Sequence, residues 1–345
     1  AGTIAGRMIN CIGASSCFGA SDEQGGVISG YMEGCKATTS SYSWGLAIGL
    51  GVISGTVINC IGTTYCFAST TGTGIAGTIS GTMRGCSGGS YSYVSSSTGV
   101  AGTISGKLYN CIGVDHCFAS TESLGVTKAA GTISGSMYDC FGNDGCYASS
   151  GGSANGTAGT ISGSMFNCIG NDICFASTQG NNLGTISGRL DGCKANNLSF
   201  ASAYAGGISI SSTAIIINCI GNNRCFGYSD AGNTGTIAGK LYNCIGGDYC
   251  FGACEDSGIL GPFTAAAISG DIYDCTGGEN CFGGAVDFGA GSVGGAISGK
   301  LYNCKATTGT NFGSGATGGA MTGILDNISQ TATTGINCTI TGTVR

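Results

Sequence analysis

The residues of this chain best suited to chemistry are its cysteines, which make up 22 of 345 positions. Eight times along the chain a Cys is followed six positions later by a second one, as in CFGNDGC from Cys140 to Cys146. Two thiols at this spacing can ligate a metal ion, act as a redox couple, close a structural disulfide or stay buried as free thiols. The choice among these four roles largely decides the function.

The metal and redox roles lack the residues that they need. Zinc sites favour Cys-x2-Cys pairs with further Cys or His ligands nearby, and the chain has a single His, His116. A redox thiolate needs a Cys-x-x-Cys motif or basic neighbours, and neither is present. A structural disulfide within each loop is therefore preferred, in an oxidising extracellular compartment. The candidate disulfide residues are Cys11, Cys17, Cys60, Cys66, Cys111, Cys117, Cys140, Cys146, Cys168, Cys174, Cys219, Cys225, Cys244, Cys250, Cys275 and Cys281.

The sequence around the loop changes together with the second Cys. Units that have it continue CIG, CFG or CTG after the first Cys, and units that lack it continue CKA or CSG. We therefore infer that the two cysteines of a unit act within one coil. Bonds to the next coil and free buried thiols remain open alternatives. The cysteines without a place in such a pair are Cys35, Cys86, Cys193, Cys254, Cys304 and Cys338.

Most of these loops also carry an acidic residue: Asp115, Asp144, Asp172, Asp248 or Glu279. Stacked carboxylates can bind calcium, which prefers oxygen ligands. Asn-Asp and Gly-Asp pairs are also common turn formers. The turn role is preferred, so we expect no cofactor and no resident metal, with calcium as the alternative.

Each loop follows a short segment with the consensus G-T-I-S-G-x-(M/L)-(Y/I/F)-(N/D)-C, which recurs at intervals of 24 to 31 residues. Apolar and polar positions alternate in it, which predicts strands with one buried face. No segment combines helical spacing with helix caps. The sequence predicts an all-β fold, a single-stranded parallel β-helix (β-solenoid) of about 13 coils of roughly 25–30 residues. It would be right-handed and span residues 1–345 as one domain.

The segment GGAISGKLYN, Gly294 to Asn303, resembles the GGAI and F-x-x-N repeats of bacterial polymorphic outer-membrane proteins and related cell-surface β-helix adhesins. The resemblance implies a cell-surface adhesive or carbohydrate-binding role. An ice-binding face is another alternative, since Thr78, Thr103, Thr132 and Thr160 share one outward column. A polysaccharide-active enzyme is a third, but the acids are spread one per coil rather than paired. We therefore expect no enzymatic activity and no catalytic residues.

The expected partners follow from charge and from the strand edges. Lys and Arg number 12 and are dispersed, which argues against nucleic-acid binding, and no apolar segment predicts a membrane span. An outward aromatic column that includes Tyr109, Tyr138 and Tyr242 is a candidate contact surface for a glycan or another surface. Unpaired edges at the first and last coils predict end-to-end self-association. The expected function is an extracellular structural protein that stacks head to tail into a filament or surface fibre.

Overall fold

A computed structural model describes residues 2–21, 23, 25–45, 51–123, 128–152, 156–180, 184–203, 209–229, 235–255, 264–286, 293–307, 312–313, 318–330, 339–340 and 343–345. The chain divides into two compact units, Ala1–Ala176 (unit 1) and Ser177–Arg345 (unit 2). All regular secondary structure in the described residues is β-strand. The expected all-β fold is confirmed, whereas the expectation of one continuous domain stays a prediction.

Unit 1 is built from short strands that come in pairs, the two members separated by a two-residue Ser-Gly or Ala-Gly corner. Its strands are β1 (Thr3–Ile4), β2 (Arg7–Ile9), β3 (Val27–Ile28), β4 (Tyr31–Glu33), β5 (Val52–Ile53), β6 (Thr56–Ile58), β7 (Thr78–Ile79), β8 (Thr82–Arg84), β9 (Thr103–Ile104), β10 (Lys107–Tyr109), β11 (Thr121–Ser123), β12 (Lys128–Ala129), β13 (Thr132–Ile133), β14 (Ser136–Tyr138), β15 (Ser150–Gly152), β16 (Gly156–Thr157), β17 (Thr160–Ile161) and β18 (Ser164–Phe166).

Unit 2 has similar strand pairs with two departures: four residues, 211–214, separate one pair, and Thr322-Gly323 forms the corner of another. Its strands are β19 (Thr185–Ile186), β20 (Arg189–Asp191), β21 (Ser209–Ile210), β22 (Ile215–Ile217), β23 (Thr236–Ile237), β24 (Lys240–Tyr242), β25 (Cys254–Glu255), β26 (Ala267–Ile268), β27 (Asp271–Tyr273), β28 (Ala285–Val286), β29 (Lys300–Tyr302), β30 (Lys305–Ala306), β31 (Ala320–Met321), β32 (Ile324–Asp326), β33 (Ser329–Gln330), β34 (Thr339–Ile340) and β35 (Thr343–Val344).

Strands pair in parallel with their equivalents one turn away, which is the register of a β-solenoid. In unit 1 the first strands of each pair form one sheet, β1-β3-β5-β7-β9-β13-β17, and the second strands form another, β2-β4-β6-β8-β10-β14-β18. Ile133 lies opposite Ile104 on one side and Ile161 on the other. In unit 2 the corresponding orders are β19-β21-β23-β26 and β20-β22-β24-β27-β29-β32-β35. The parallel β-solenoid expected from the repeat is therefore confirmed.

Two backbone corners explain why the repeat keeps particular residues. At the corner between the paired strands, a Cβ on Gly81 would lie 2.0 Å from the carbonyl oxygen of Gly55 in the preceding turn, so only Gly fits. At the corner before the first Cys the backbone is left-handed, with φ of 49° at Asn110 and 61° at Gly85. Asn, Asp and Gly tolerate this conformation best, which accounts for the Asn-Cys and Gly-Cys pairs of the sequence.

A buried ladder of aromatic rings fills each unit, and the sequence interpretation did not identify it. The rings follow the second-Cys position directly, and neighbouring rings in unit 1 stack with centroids 4.6–5.0 Å apart. They are Phe18, Tyr42, Phe67, Tyr93, Phe118, Tyr147 and Phe175. A similar ladder of five Phe rings runs through unit 2 from Phe200 to Phe312. The signal available in the sequence was an aromatic residue that persists even where the second Cys is lost.

Candidate functional site: the cysteine columns

The cysteines of the repeat form two columns that run from turn to turn. Among the residues that the structure describes, 21 cysteines are present and all are free thiols; only Cys11 and Cys17 are half-buried, and the rest are buried. The bonds predicted between the two cysteines of one loop are not formed. Cys254 lies outside both columns, packed against Ala265 and Ala285, and Cys338 lies outside the described residues.

Contacts of the second column connect neighbouring turns. The Cys146 Sγ donates a hydrogen bond to the Val114 carbonyl at 3.1 Å and accepts one from the Cys117 amide at 3.3 Å. The first column behaves in the same way, since the Cys86 Sγ lies 3.4 Å from the Val57 carbonyl of the preceding turn. The thiols thus serve as hydrogen-bonding members of turn-to-turn ladders.

Serine replaces the second cysteine in three of the turns that lack it, at Ser41, Ser92 and Ser199. The substitution keeps the ladder contact, because the Cys66 amide donates to the Ser92 Oγ at 3.3 Å. A serine cannot form a disulfide, yet the first cysteine of the same turn, such as Cys86, remains. The exchange of Cys for Ser is expected where a position needs a small buried side chain that forms hydrogen bonds. It is not expected of one half of a disulfide.

The glycine two residues after the first Cys packs against the second-column residue of its own turn. A Cβ placed on Gly62 would lie 2.4 Å from the Cys66 Sγ, and one on Gly88 would lie 2.6 Å from the Ser92 Cβ. Beside Ser41 the equivalent residue is Ala37, so the turns with Ser carry either Gly or Ala at this position. The inference that the two cysteines act within one coil stays a prediction, since the described cysteines are free thiols.

Burial suppresses the reactivity of these thiols. Desolvation raises the pKa of Cys60 and of Cys66 to about 12 in each case. Burial likewise raises the pKa of Cys250 well above its ordinary value. The thiolate is the nucleophilic and metal-binding form, so thiols with raised pKa values are inert near neutral pH. Cys60, Cys66 and Cys250 are therefore suited to packing, whereas the pKa of Cys140 is lowered, because side-chain hydrogen bonds with Cys111 and Cys168 outweigh its desolvation.

The acidic residues of the loops are used in turn-to-turn hydrogen bonds. The Asp172 amide donates to an Asp144 carboxylate oxygen at 3.1 Å, and the Glu279 amide donates to Asp248 at 2.8 Å. These contacts agree with the turn-forming role preferred from the sequence. Within the described ranges no group of three or more His, Cys, Asp or Glu side chains is arranged to hold a metal ion.

The single histidine belongs to a small cluster that the sequence did not reveal. The ring of His116 stacks on Tyr91 at 5.3 Å between centroids, and the Tyr91 hydroxyl donates to the Glu122 carboxylate. Desolvation lowers the His116 pKa. Unit 2 holds an equivalent glutamate, Glu255, in an ion pair with Arg224 at 2.6 Å. Each glutamate lies five residues after a second-column cysteine. Its carboxylate contacts a side chain of the preceding turn, so it contributes to packing between turns.

Two outward surfaces of unit 1 are regular enough to contact a partner. The second sheet carries stacked, half-buried rings, with Tyr109 and Tyr138 4.9 Å apart and Tyr138 and Phe166 5.0 Å apart. The Ser-Gly corners of four turns line a shallow groove of about 560 Å³, together with Thr56, Thr82 and Lys107. The expected aromatic column is thus a real stack, while its ligand stays a prediction.

Comparisons with known proteins return no relative: no family model, no curated protein and no solved structure matches the chain. The resemblance of Gly294–Asn303 to outer-membrane adhesin repeats finds no support there. In the part of the chain that the structure describes, no helix is long and apolar enough to span a membrane.

Proposed function

We propose that this chain is an extracellular structural protein, a β-solenoid subunit that stacks end to end into a filament or surface fibre. The observation that carries the proposal is that each turn is complementary to itself. Thr132, for example, pairs with Thr103 on one side and with Thr160 on the other. A turn that offers the same residues to both neighbours is equally able to accept a turn from a second copy.

The residues whose side chains could do chemistry support the same proposal, because they are engaged in contacts between turns. Cysteines, serines, asparagines and aromatic rings find partners in their own columns one turn away. The Ser120 amide donates to the Ser95 Oγ at 3.1 Å, and the Asn167 side chain donates to Asp139 at 3.1 Å. Such ladders favour a structural protein over an enzyme. The same contacts would recur with every turn that is added.

The extracellular location is carried by the cysteine-rich sequence alone, since disulfide-forming cysteines are typical of proteins outside the cytosol; the free thiols of the described residues add no support to it. Immunogold labelling of intact cells tests this part of the proposal independently of assembly. Gold particles on the cell surface or on shed fibres are expected. Label confined to the cytoplasm would contradict it.

The stacking proposal is tested by electron microscopy of the full chain and of a Gly6→Ala variant. A Cβ on Gly6 meets no atom within 4 Å, whereas one on Gly30 would lie 2.0 Å from the Gly6 carbonyl oxygen. Gly6→Ala should therefore fold normally yet obstruct a second copy that stacks on this turn. We expect filaments from the wild type and short oligomers or single particles from the variant.

The matched control is Ala5→Ser, a neighbouring change to the residue that the same column carries at Ser29. It should leave filament length unchanged. Single particles from the wild type under native conditions would refute end-to-end stacking, as would Gly6→Ala filaments of wild-type length.

A further inference from the structure

One exposed column of unit 1 is apolar where a soluble surface is normally polar. It comprises the residues that follow the first-column cysteines and bridge in parallel from turn to turn: Ile12, Lys36, Ile61, Ser87, Ile112, Phe141 and Ile169. Five of the seven are large and apolar, with 42–84% of each side chain exposed. An exposed apolar strip of this kind, interrupted only at Lys36 and Ser87, commonly marks an interaction site. We call these seven residues the outer column.

We propose that the outer column is a lateral interface at which two copies of this chain pair side by side and antiparallel, about a two-fold axis through Ser87. This surface differs from the turn faces used in end-to-end stacking, so the proposal does not depend on filament growth. Its occupant is a second copy, because an identical column has the same spacing between turns, about 4.8 Å, and its side chains interdigitate over the whole length.

The antiparallel direction follows from the order of residues along the column. A two-fold axis at the central residue sets the first turn against the seventh, the second against the sixth and the third against the fifth. The opposed pairs are then Ile12 with Ile169, Lys36 with Phe141, Ile61 with Ile112, and Ser87 with Ser87. The isoleucines meet isoleucines, Lys36 meets the ring of Phe141, and the two small serines meet at the axis.

Charge distinguishes this arrangement from parallel pairing. In a parallel, in-register pair Lys36 would face Lys36 of the other copy, and like charges across an interface are unfavourable. In the antiparallel pair Lys36 faces the turn of Phe141, which also carries the Asp144 carboxylate three residues on. The lysine then gains a ring for a cation–π contact and an opposite charge nearby.

The equivalent column of unit 2 is more polar and supports no such pairing. It reads Lys194, Ile220, Ile245, Thr276, Lys305 and Ser329 along its bridges. Only two of these six residues are apolar, and a two-fold pairing about the centre of the run would set Ile220 against Lys305 and Ile245 against Thr276. The outer column of unit 1 is thus the lateral surface that the proposal uses.

The test is a double variant of the full chain, Ile61→Lys with Ile112→Lys. Lys36 occupies the same column, so lysine is compatible with the fold at these positions. The matched control, Ser136→Lys with Ser164→Lys, adds the same charge to the second sheet outside the groove, where Lys107 stands one turn before Ser136. Loss of two buried isoleucines per chain, four in the pair, should weaken pairing by at least about tenfold.

Two measurements separate lateral pairing from end-to-end growth. Where filaments form, their width in electron microscopy should fall from two chains to one in the double variant, while their length stays unchanged. Where they do not form, the mass from sedimentation equilibrium should fall from dimer to monomer, and the control should stay dimeric. A wild type that is one chain wide or monomeric, or a double variant equal to wild type, would overturn the proposal.

Cross-linking decides the direction of pairing. In a mixture of Ile61→Cys and Ile112→Cys chains, mild oxidation should join position 61 of one copy to position 112 of the other, as peptide mapping would reveal. Cross-links of 61 to 61 and of 112 to 112 would indicate parallel pairing and overturn the antiparallel arrangement.

Discussion

At the second-cysteine position each turn requires a small buried side chain that hydrogen-bonds to the turns beside it. Sulfur and oxygen both satisfy this requirement, as Cys117 and Ser92 show. The neighbouring residue is Gly62 beside Cys66, and it is Ala37 beside Ser41 or Gly88 beside Ser92. Cysteine in this protein behaves as a packing residue.

The residue-scale prediction is a double-mutant cycle at Gly62 and Cys66. Cys66→Ser should cost less than about 1 kcal/mol of unfolding free energy, because Ser92 already supplies this contact one turn on. Gly62→Ala alone should cost about 1–3 kcal/mol from the clash of its methyl with sulfur. The double variant should recover only the part of that loss that is due to sulfur, because the added methyl would also lie 2.7 Å from the Cβ of residue 66, which serine keeps. Denaturant titration measures all three free energies.

The same titration with a reductant serves as the control. Free thiols predict an unfolding midpoint that the reductant leaves unchanged. A structural disulfide at Cys60 and Cys66 would instead make Cys66→Ser cost about 2–5 kcal/mol and make the wild type sensitive to reductant. That result would restore the interpretation of the two cysteines as a structural disulfide.

At the scale of one turn, the segment after the second cysteine has a strained backbone, and the packing of its aromatic ring stabilises it. Phe118 and Ala119 have φ of 59° and 60°, a conformation that non-glycine residues seldom adopt. The stacked rings offset this strain, since Phe118 is fully buried with Tyr93 and Tyr147 on either side. Tyr147 adds a hydrogen bond from its hydroxyl to the Cys140 carbonyl at 2.8 Å.

The element-scale prediction compares two substitutions of one ring. Phe118→Ala should lower the unfolding free energy by about 3–5 kcal/mol, because it opens a cavity in the ladder. Phe118→Tyr should stay within about 1 kcal/mol of wild type, since its hydroxyl can reach the Cys111 carbonyl as that of Tyr147 reaches Cys140. Thermal unfolding followed by circular dichroism measures both, and equal losses would contradict the ladder as the source of stability.

At the scale of the whole molecule, the columns bury many weak acids together. Desolvation raises the pKa of thiols in both units, including Cys60 in unit 1 and Cys304 in unit 2, each to about 12. Burial also raises the pKa of Tyr93 well above its ordinary value. The folded protein therefore holds protons that the unfolded chain releases at lower pH.

This linkage predicts a pronounced loss of stability in alkali. Above a pH of about 9 the unfolded chain binds fewer protons than the folded one, so the unfolding free energy falls as pH rises toward about 12. Below pH 9 the contribution is complete and constant. Thermal midpoints from pH 7 to 12 check the prediction, and a midpoint that is flat across this range would contradict buried, protonated thiols. A variant with Cys60→Ala and Cys66→Ser should show a shallower decline.

The sequence by itself determined the fold. Alternating apolar positions at intervals of 24 to 31 residues specify strands that stack in register, and the structure has that register, as Ile104 opposite Ile133 illustrates. The alternation within each strand was sufficient to predict the fold, because each strand pairs with a strand of nearly the same sequence in the next turn. The Asn-Cys pair was also visible in the sequence. The structure explains it, because the Asn has a left-handed backbone conformation.

Only the tertiary structure decided what the cysteines do and which rings are buried. The spacing of Cys140 and Cys146 shows that they share a turn, but the contacts of each sulfur depend on the turns above and below. Likewise, Phe118 and Tyr109 are both aromatic residues near a cysteine, yet one is buried in the core ladder and the other lies on an outer face. The physical reason is that a solenoid places its decisive contacts about 25 residues apart, between neighbouring turns. Sequence identifies the members of each column, and stacking determines what each column faces.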